Sequence, residues 1–440
     1  MALCAVACQK ADDSSAIESG ASAELSVHVA VAGDADTKTV LNPTDLIKWA
    51  ASDAKKMGIW LVAPTAEYTY NTFATSASAE FSDDFGSAVF KFADSSTNYK
   101  EVTPKRLYYP AVSGATRYGI TVTVPTTQKQ TVAGENGFGS ESVPMVSDFI
   151  AAGDAEVDGL NVTYGAKMHV LSSIVAFYVY DSAGAYADEK VESITLASLS
   201  DAFVAGETNI AKVGEGHFAD ESDPECDLVG DAKSASVALT EKFALAGADS
   251  KAASAPIYLS IVPGTFEGKV TVRTDKAIYV FPFAAAKTFA KARVCEFSLN
   301  LSSGKAQRTA LADMPKPVIK ITHLSRKASG SYNTAAITVK KGNDAAVGFY
   351  ACILPKANGV DITKAEILSK GELFLFDSDS NSDSFAVKAD GSVTYTQKLN
   401  LYSPSMFAFA AMAVDAYDNY GALVGDNGYG NSTRETDLDL

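Results

Sequence analysis

The chain is poor in the residues that most chemistry needs. It has four histidines and five cysteines in 440 residues. None of His28, His169, His217 and His323 has a partner at zinc-ligand spacing, and HExxH is absent, which excludes a zinc hydrolase of that type. No Cys-x-x-Cys occurs, which excludes zinc ribbons and thioredoxin-like redox sites. Scattered Cys226, Cys295 and Cys352 cannot staple a chain this long, so no disulfide framework is expected. No apolar run approaches 18 residues, Met406–Val414 being among the longest, which excludes a transmembrane helix. Positive charge is also scarce. There are 37 Lys and Arg against 53 Asp and Glu, a net charge of −16, and a nucleic-acid surface needs the reverse.

Phosphate and nucleophile motifs are missing too. There is no GxSxG elbow, and no GxGxxG follows a strand. Gly264-Thr-Phe-Glu-Gly268-Lys269 is one residue too short for a phosphate loop, and Val270 stands where Ser or Thr is needed. Asp377-Ser-Asp379-Ser-Asn381-Ser-Asp383 spaces oxygen ligands as a calcium loop does. Ser382 and Lys388 stand where an EF-hand needs Gly and Glu, so a solvated loop is expected. A dispersed carboxylate pair for glycoside hydrolysis is the enzymatic arrangement left open, and nothing favours it. The chain reads as non-enzymatic, with no catalytic, cofactor-binding or metal residue.

What is present is alternation. Ile120, Val122 and Val124 alternate with threonines until Pro125 stops the run. Ile174–Tyr180 is a dense apolar strand. Ile257, Leu259 and Ile261 alternate up to Pro263-Gly264, and Val270 and Val272, Ile278–Phe283 and Val294–Leu301 follow. Ile337–Val339, Val347–Leu354 and Met406–Val414 form a later group. Leu25, Val27, Val29 and Val31 share one face of a first strand. One helix is expected: Thr363 and Glu366 form a capping box, and the helix ends at Lys370 before Gly371. Asn42-Pro-Thr-Asp45 suits a helix cap leading to Met57, but Trp49 and Ile59-Trp-Leu-Val62 suit a hairpin equally; both stay open. The fold class is all-β, built of β-sandwiches. The expected organisation is a tether at 1–23, sandwiches at 24–159 and 160–303, a polar linker at 304–317 and a third sandwich at 318–440.

Ala5-Val6-Ala7-Cys8 resembles a bacterial lipobox, with a small polar tether at Gln9–Gly20. Seven residues without Lys or Arg are too few for a signal peptide. Either the start lies upstream or Cys8 is incidental; lipidation of Cys8 and an outer-membrane anchor are the expectation.

The ordered strands resemble the fimbrillin-like surface lipoproteins of Bacteroidetes, the family of type V pilus subunits. The residues that carry the resemblance are Gly58-Ile-Trp-Leu-Val62, Leu107-Tyr-Tyr-Pro110 and Ile120–Pro125 with Gln128. Met168-His169-Val-Leu-Ser-Ser-Ile174, Ile257–Pro263, Lys287-Thr-Phe289 and Glu296–Leu301 continue it. The resemblance implies two tandem transthyretin-like sandwiches, and it implies subunits that trade strands after a protease removes the first one. It also implies that His169 packs and hydrogen-bonds without being catalytic. No Arg precedes Arg106, so Lys10 or Lys38 would have to serve as the cleavage site, Lys38 being the candidate. Residues 318–430 resemble an immunoglobulin or fibronectin type III domain, which suggests a tip, anchor or accessory subunit. Expected partners are fimbrial subunits by strand exchange, host or bacterial surface ligands and glycans, but not nucleic acid. The alternative is a glycan-binding outer-membrane lipoprotein, on the strength of 19 Tyr and two Trp that would otherwise fill sandwich cores.

Overall fold

The alternating segments are strands in the computed structural model, which describes residues 25–31, 49–64, 69–83, 87–93, 102–116, 120–134, 142–150, 156–158, 161–210, 228–283, 285–329, 332–356, 360–376, 391–400, 406–417, 419–429 and 435–437. Cys4, Cys8, Lys10, Lys38, His217, Cys226 and the loop Asp377–Asp383 lie outside the described residues. The chain is all-β apart from one α-helix and short 3-10 turns among the described residues. It divides into two units, Met1–Ala310 and Leu311–Leu440.

In the first unit, the largest sheet runs in the order 69–75, 58–64, 103–109, 145–147, 161–170, 25–31, 87–92, 78–81, with 156–158 paired to 161–170. A six-stranded sheet has the order 307–310, 277–282, 268–274, 190–198, 234–244, 127–130. A three-stranded sheet, 256–261, 173–180, 294–300, lies between two cores. Val175, Phe177 and Val179 join the core of the six-stranded sheet, while Ile174 and Ala176 join that of the large sheet. Opposite faces of one strand thus serve both cores, as period 2 requires.

The expected boundary near 159 is crossed in both directions. Asn161–Val170 lies inside the first sheet, and Ile120–Val124 and Thr127–Gln130 pair with Gly206–Ile210 and Ser234–Ala244. Gln128 and Gln130 reinforce the second crossing. The Gln128 amide donates to Ser260 O (2.6 Å) and accepts from Ser260 N (2.9 Å). Gln130 Oε1 accepts from Tyr258 N (2.8 Å). Two side-chain amides thereby satisfy an edge that would otherwise leave buried backbone groups unpaired.

The stretch 304–317 is also more ordered than a polar linker. Gln307–Ala310 is a strand against Ala277–Pro282. Its Arg308 reaches the buried Glu189 (3.0 Å), which also accepts from Thr274 Oγ1 (2.6 Å) and Tyr279 OH (3.0 Å). A buried carboxylate with three donors, one of them charged, is satisfied.

Neither open reading of 42–57 holds for the described part. Ala51–Asp53 is a single 3-10 turn, and the hairpin is Gly58–Pro64 with Thr69–Thr75. Buried Asp53 decides this, accepting from Ala50 N and Tyr109 OH (both 2.8 Å).

The second unit packs two four-stranded sheets, 393–400/332–341/319–329/435–437 and 372–375/348–356/406–414/420–429, around Ile321, Ile337, Val339, Phe349, Phe409 and Ala411. The helix Lys364–Lys370 has the expected cap: Thr363 Oγ1 accepts from Glu366 N (3.2 Å), and Glu366 returns to Thr363 N (3.0 Å). Its Ile367 covers Cys352 and Met412 on the outer sheet face.

Candidate functional site: the slot of the first strand

Leu25–Val31 is an interior strand. It pairs in parallel with Asn161–Val170 on one side and antiparallel with Ser87–Phe92 on the other. Each inward side chain stands between two named neighbours. Leu25 lies between Phe92 and Val162, Val27 between Phe90 and Tyr164, and Val29 between Ala88 and Ala166. Leu25, Val27 and Val29 are all buried, and His28 is exposed on the other face. The side chain of Val31 lies outside the described set. Burying each aliphatic group is worth about 1.5–3 kcal/mol, so the strand is held by several kcal/mol of apolar contact beyond its ladders.

The neighbours change size along the slot, growing from Phe and Val to Phe and Tyr and then falling to two alanines. A strand shifted here by two residues would meet neighbours of the wrong size. One shifted by a single residue would turn its apolar side chains to solvent. The small end opens into a cavity of about 480 Å³ lined by His28, Val29, Phe81, Ser87, Ala88 and Gly165.

The floor of the slot is aromatic. Trp49 meets Phe90 and Tyr109 edge-on, with centroids 5.2 and 5.4 Å away. Burial raises the Tyr164 phenol above its ordinary value. At the rim, Lys91 pairs with Glu80 at 2.8 Å, and its hydrogen bond holds the Glu80 carboxyl below the usual range.

His169 accounts for only half of its expected role. Its Nε2 lies 2.8 Å from Asp148 Oδ1, but the side chain is 42% exposed, so it is bonded rather than packed. Cys352 is buried as a small hydrophobe. Cys295 is half-buried; burial raises its thiol pKa, against the opposing effect of Lys287. Sequence alternation identified the inward face of the first strand but carried no signal for its interior position, because its partners lie far away in the chain. Among the described residues, no group of three His, Cys, Asp or Glu is placed to hold a metal, and no helix is long and apolar enough to cross a membrane.

No protein-family model and no curated protein matches the chain. Solved structures do match. A protein from Bacteroides ovatus, provisionally described as a cell adhesion protein, shares 11% identity at a TM-score of 0.37, over 66% of this chain and 96% of its own. A fimbrial assembly protein from Parabacteroides distasonis shares 11% at 0.29, over 66% and 95%. A fimbrial protein from Bacteroides ovatus shares 11% at 0.25, over 77% and 68%. These neighbours are cell-adhesion and fimbrial proteins of the bacterial group to which the sequence resemblance pointed. The fold stands on the strand pairing described above.

Proposed function

We propose that the chain is a non-enzymatic cell-surface protein of fimbrial or adhesin type that engages a partner subunit by strand exchange. The observation that carries this reading is the interior place of Leu25–Val31. A first strand at a sheet edge could leave and expose little. This one would open an apolar slot with unpaired strands on both sides, a template for a guest strand. In this reading Cys8 carries the lipid anchor in the outer membrane, Lys38 is the cut that frees the strand, and the second unit suits a tip, anchor or accessory subunit. The glycan-binding alternative gains no support from the tryptophans, since Trp49 and Trp60 are both buried.

Limited trypsin digestion of the folded protein tests the reading. Cleavage after Lys38 should be followed by ladders of oligomers on denaturing gels run without boiling. Nicked protein that stays monomeric, or folded protein that is never cut there, would overturn strand exchange for this chain.

A further inference from the structure

The strand Val294–Asn300 is the outer strand of the three-stranded sheet. Its parallel ladder to Ser173–Tyr180 spends the backbone groups of alternate residues. Arg293 O accepts from Ile174 N (2.9 Å), and Leu301 N donates to Tyr180 O (2.8 Å). In a parallel ladder the residues between these, Val294, Glu296, Ser298 and Asn300, aim their N–H and C=O groups the other way. Asn300 O is taken by Ser303, and Glu296 O lies 3.5 Å from Lys287 Nζ. The N–H of Glu296 and both backbone groups of Ser298 have no partner among the described residues, and both residues are exposed.

The cation beside this edge is placed unusually. Lys287 Nζ stands 3.8 Å over the Phe297 ring, lies 3.5 Å from the Glu296 carbonyl oxygen and bonds the Cys295 thiol, and it forms no ion pair among the described residues. The nearby Glu296 carboxylate is already held by Lys251 (2.6 Å). A chain of net charge −16 thus presents, at an open strand edge, a lysine with no ion-pair partner among the described residues. Lysine at such an edge discourages pairing with neutral strands, and a strand that supplies a carboxylate removes that obstacle.

We propose that the edge of Val294–Asn300 is a second strand-addition site, which takes an extended acidic segment of a partner protein. The guest backbone bonds Glu296 and Ser298, and one guest carboxylate receives Lys287. The ammonium then leaves the Phe297 ring and frees the Glu296 carbonyl for the ladder. This site does not need the first strand to leave, so it works in the uncut chain.

The probe is a capped peptide of alternating valine and aspartate, with a lysine-for-aspartate twin, added to the intact chain. Binding is followed by titration and by amide hydrogen exchange. The aspartate peptide should slow exchange at Glu296 and Ser298, and the twin should bind at least about tenfold more weakly, a difference of one charge-assisted hydrogen bond. Ser298→Pro removes an N–H that the native ladder does not use, so it should abolish binding while leaving the melting temperature in place. Lys287→Glu should reverse the preference between the peptides. The proposal is overturned if the aspartate peptide leaves both amides exchanging as before, if the twin binds equally well, or if Ser298→Pro binds like wild type. Loss of this site in a protein that still forms ladders after trypsin would leave strand exchange standing.

Discussion

The ring of Tyr108 lies flat across Gly58, its cross-strand partner in the large sheet. A Cβ on residue 58 would come within 2.1 Å of Tyr108 Cζ and 2.4 Å of Cε1. The glycine in Gly58-Ile-Trp-Leu-Val62 and the first tyrosine in Leu107-Tyr-Tyr-Pro110 are therefore one feature: an aromatic ring fills the space a missing side chain leaves. Gly58→Ala should destabilise the first unit by about 1–3 kcal/mol, as overpacking does. The cost should fall sharply in a Tyr108→Ala background, measured by denaturant unfolding of both pairs. Equal costs in the two backgrounds would show that the ring is not the cause.

Burial pushes the Tyr108 phenol up to about 12, with a backbone bond to Val112 acting weakly the other way. The folded state therefore holds a proton that the unfolded state loses near pH 10. Stability present below pH 10 should decline from there to about 12, by about 2 kcal/mol for this group. Tyr108→Phe should flatten that decline in a melting series from pH 9 to 12. An unchanged slope would assign the alkaline sensitivity to other phenols.

Gln128→Leu keeps bulk but removes both bonds to Ser260. It should cost about 1–3 kcal/mol for each buried backbone group left unsatisfied, with earlier thermal unfolding of the first unit. Gln128→Glu keeps the acceptor for Ser260 N and sets an oxygen against Ser260 O, so it should be at least as damaging. A variant that melts with wild type would mean that water replaces the amide.

Cys8 is testable without structure. Expressed in its native cells, the protein should take up an acyl analogue and Cys8→Ala should not. Two acyl chains at Cys8 would anchor the protein firmly, where one would bind a membrane only marginally. Equal labelling of both proteins would remove the anchor from the functional reading.

Local patterns were legible in the residues themselves. Alternation marked Ile120–Val124, Ile257–Ile261, Val294–Leu301 and Met406–Val414 as strands, because side chains on a pleated backbone point alternately to two faces. The Thr363/Glu366 capping box was readable because its partners stand three residues apart. Partnership between strands was not legible. Nothing local tells Leu25–Val31 that it will sit between segments beginning at residues 87 and 161, or Gln128 that it will meet Ser260, 132 residues away. Nor does alternation choose between helix and hairpin around Trp49, where the tie from Asp53 to Tyr109, 56 residues on, decides the backbone. Period 2 specifies which face of a strand is apolar. Which edges meet, and so which strand lies in the interior of a sheet and which at its edge, depends on loop closure and packing summed over the whole unit, and only the tertiary structure decides that.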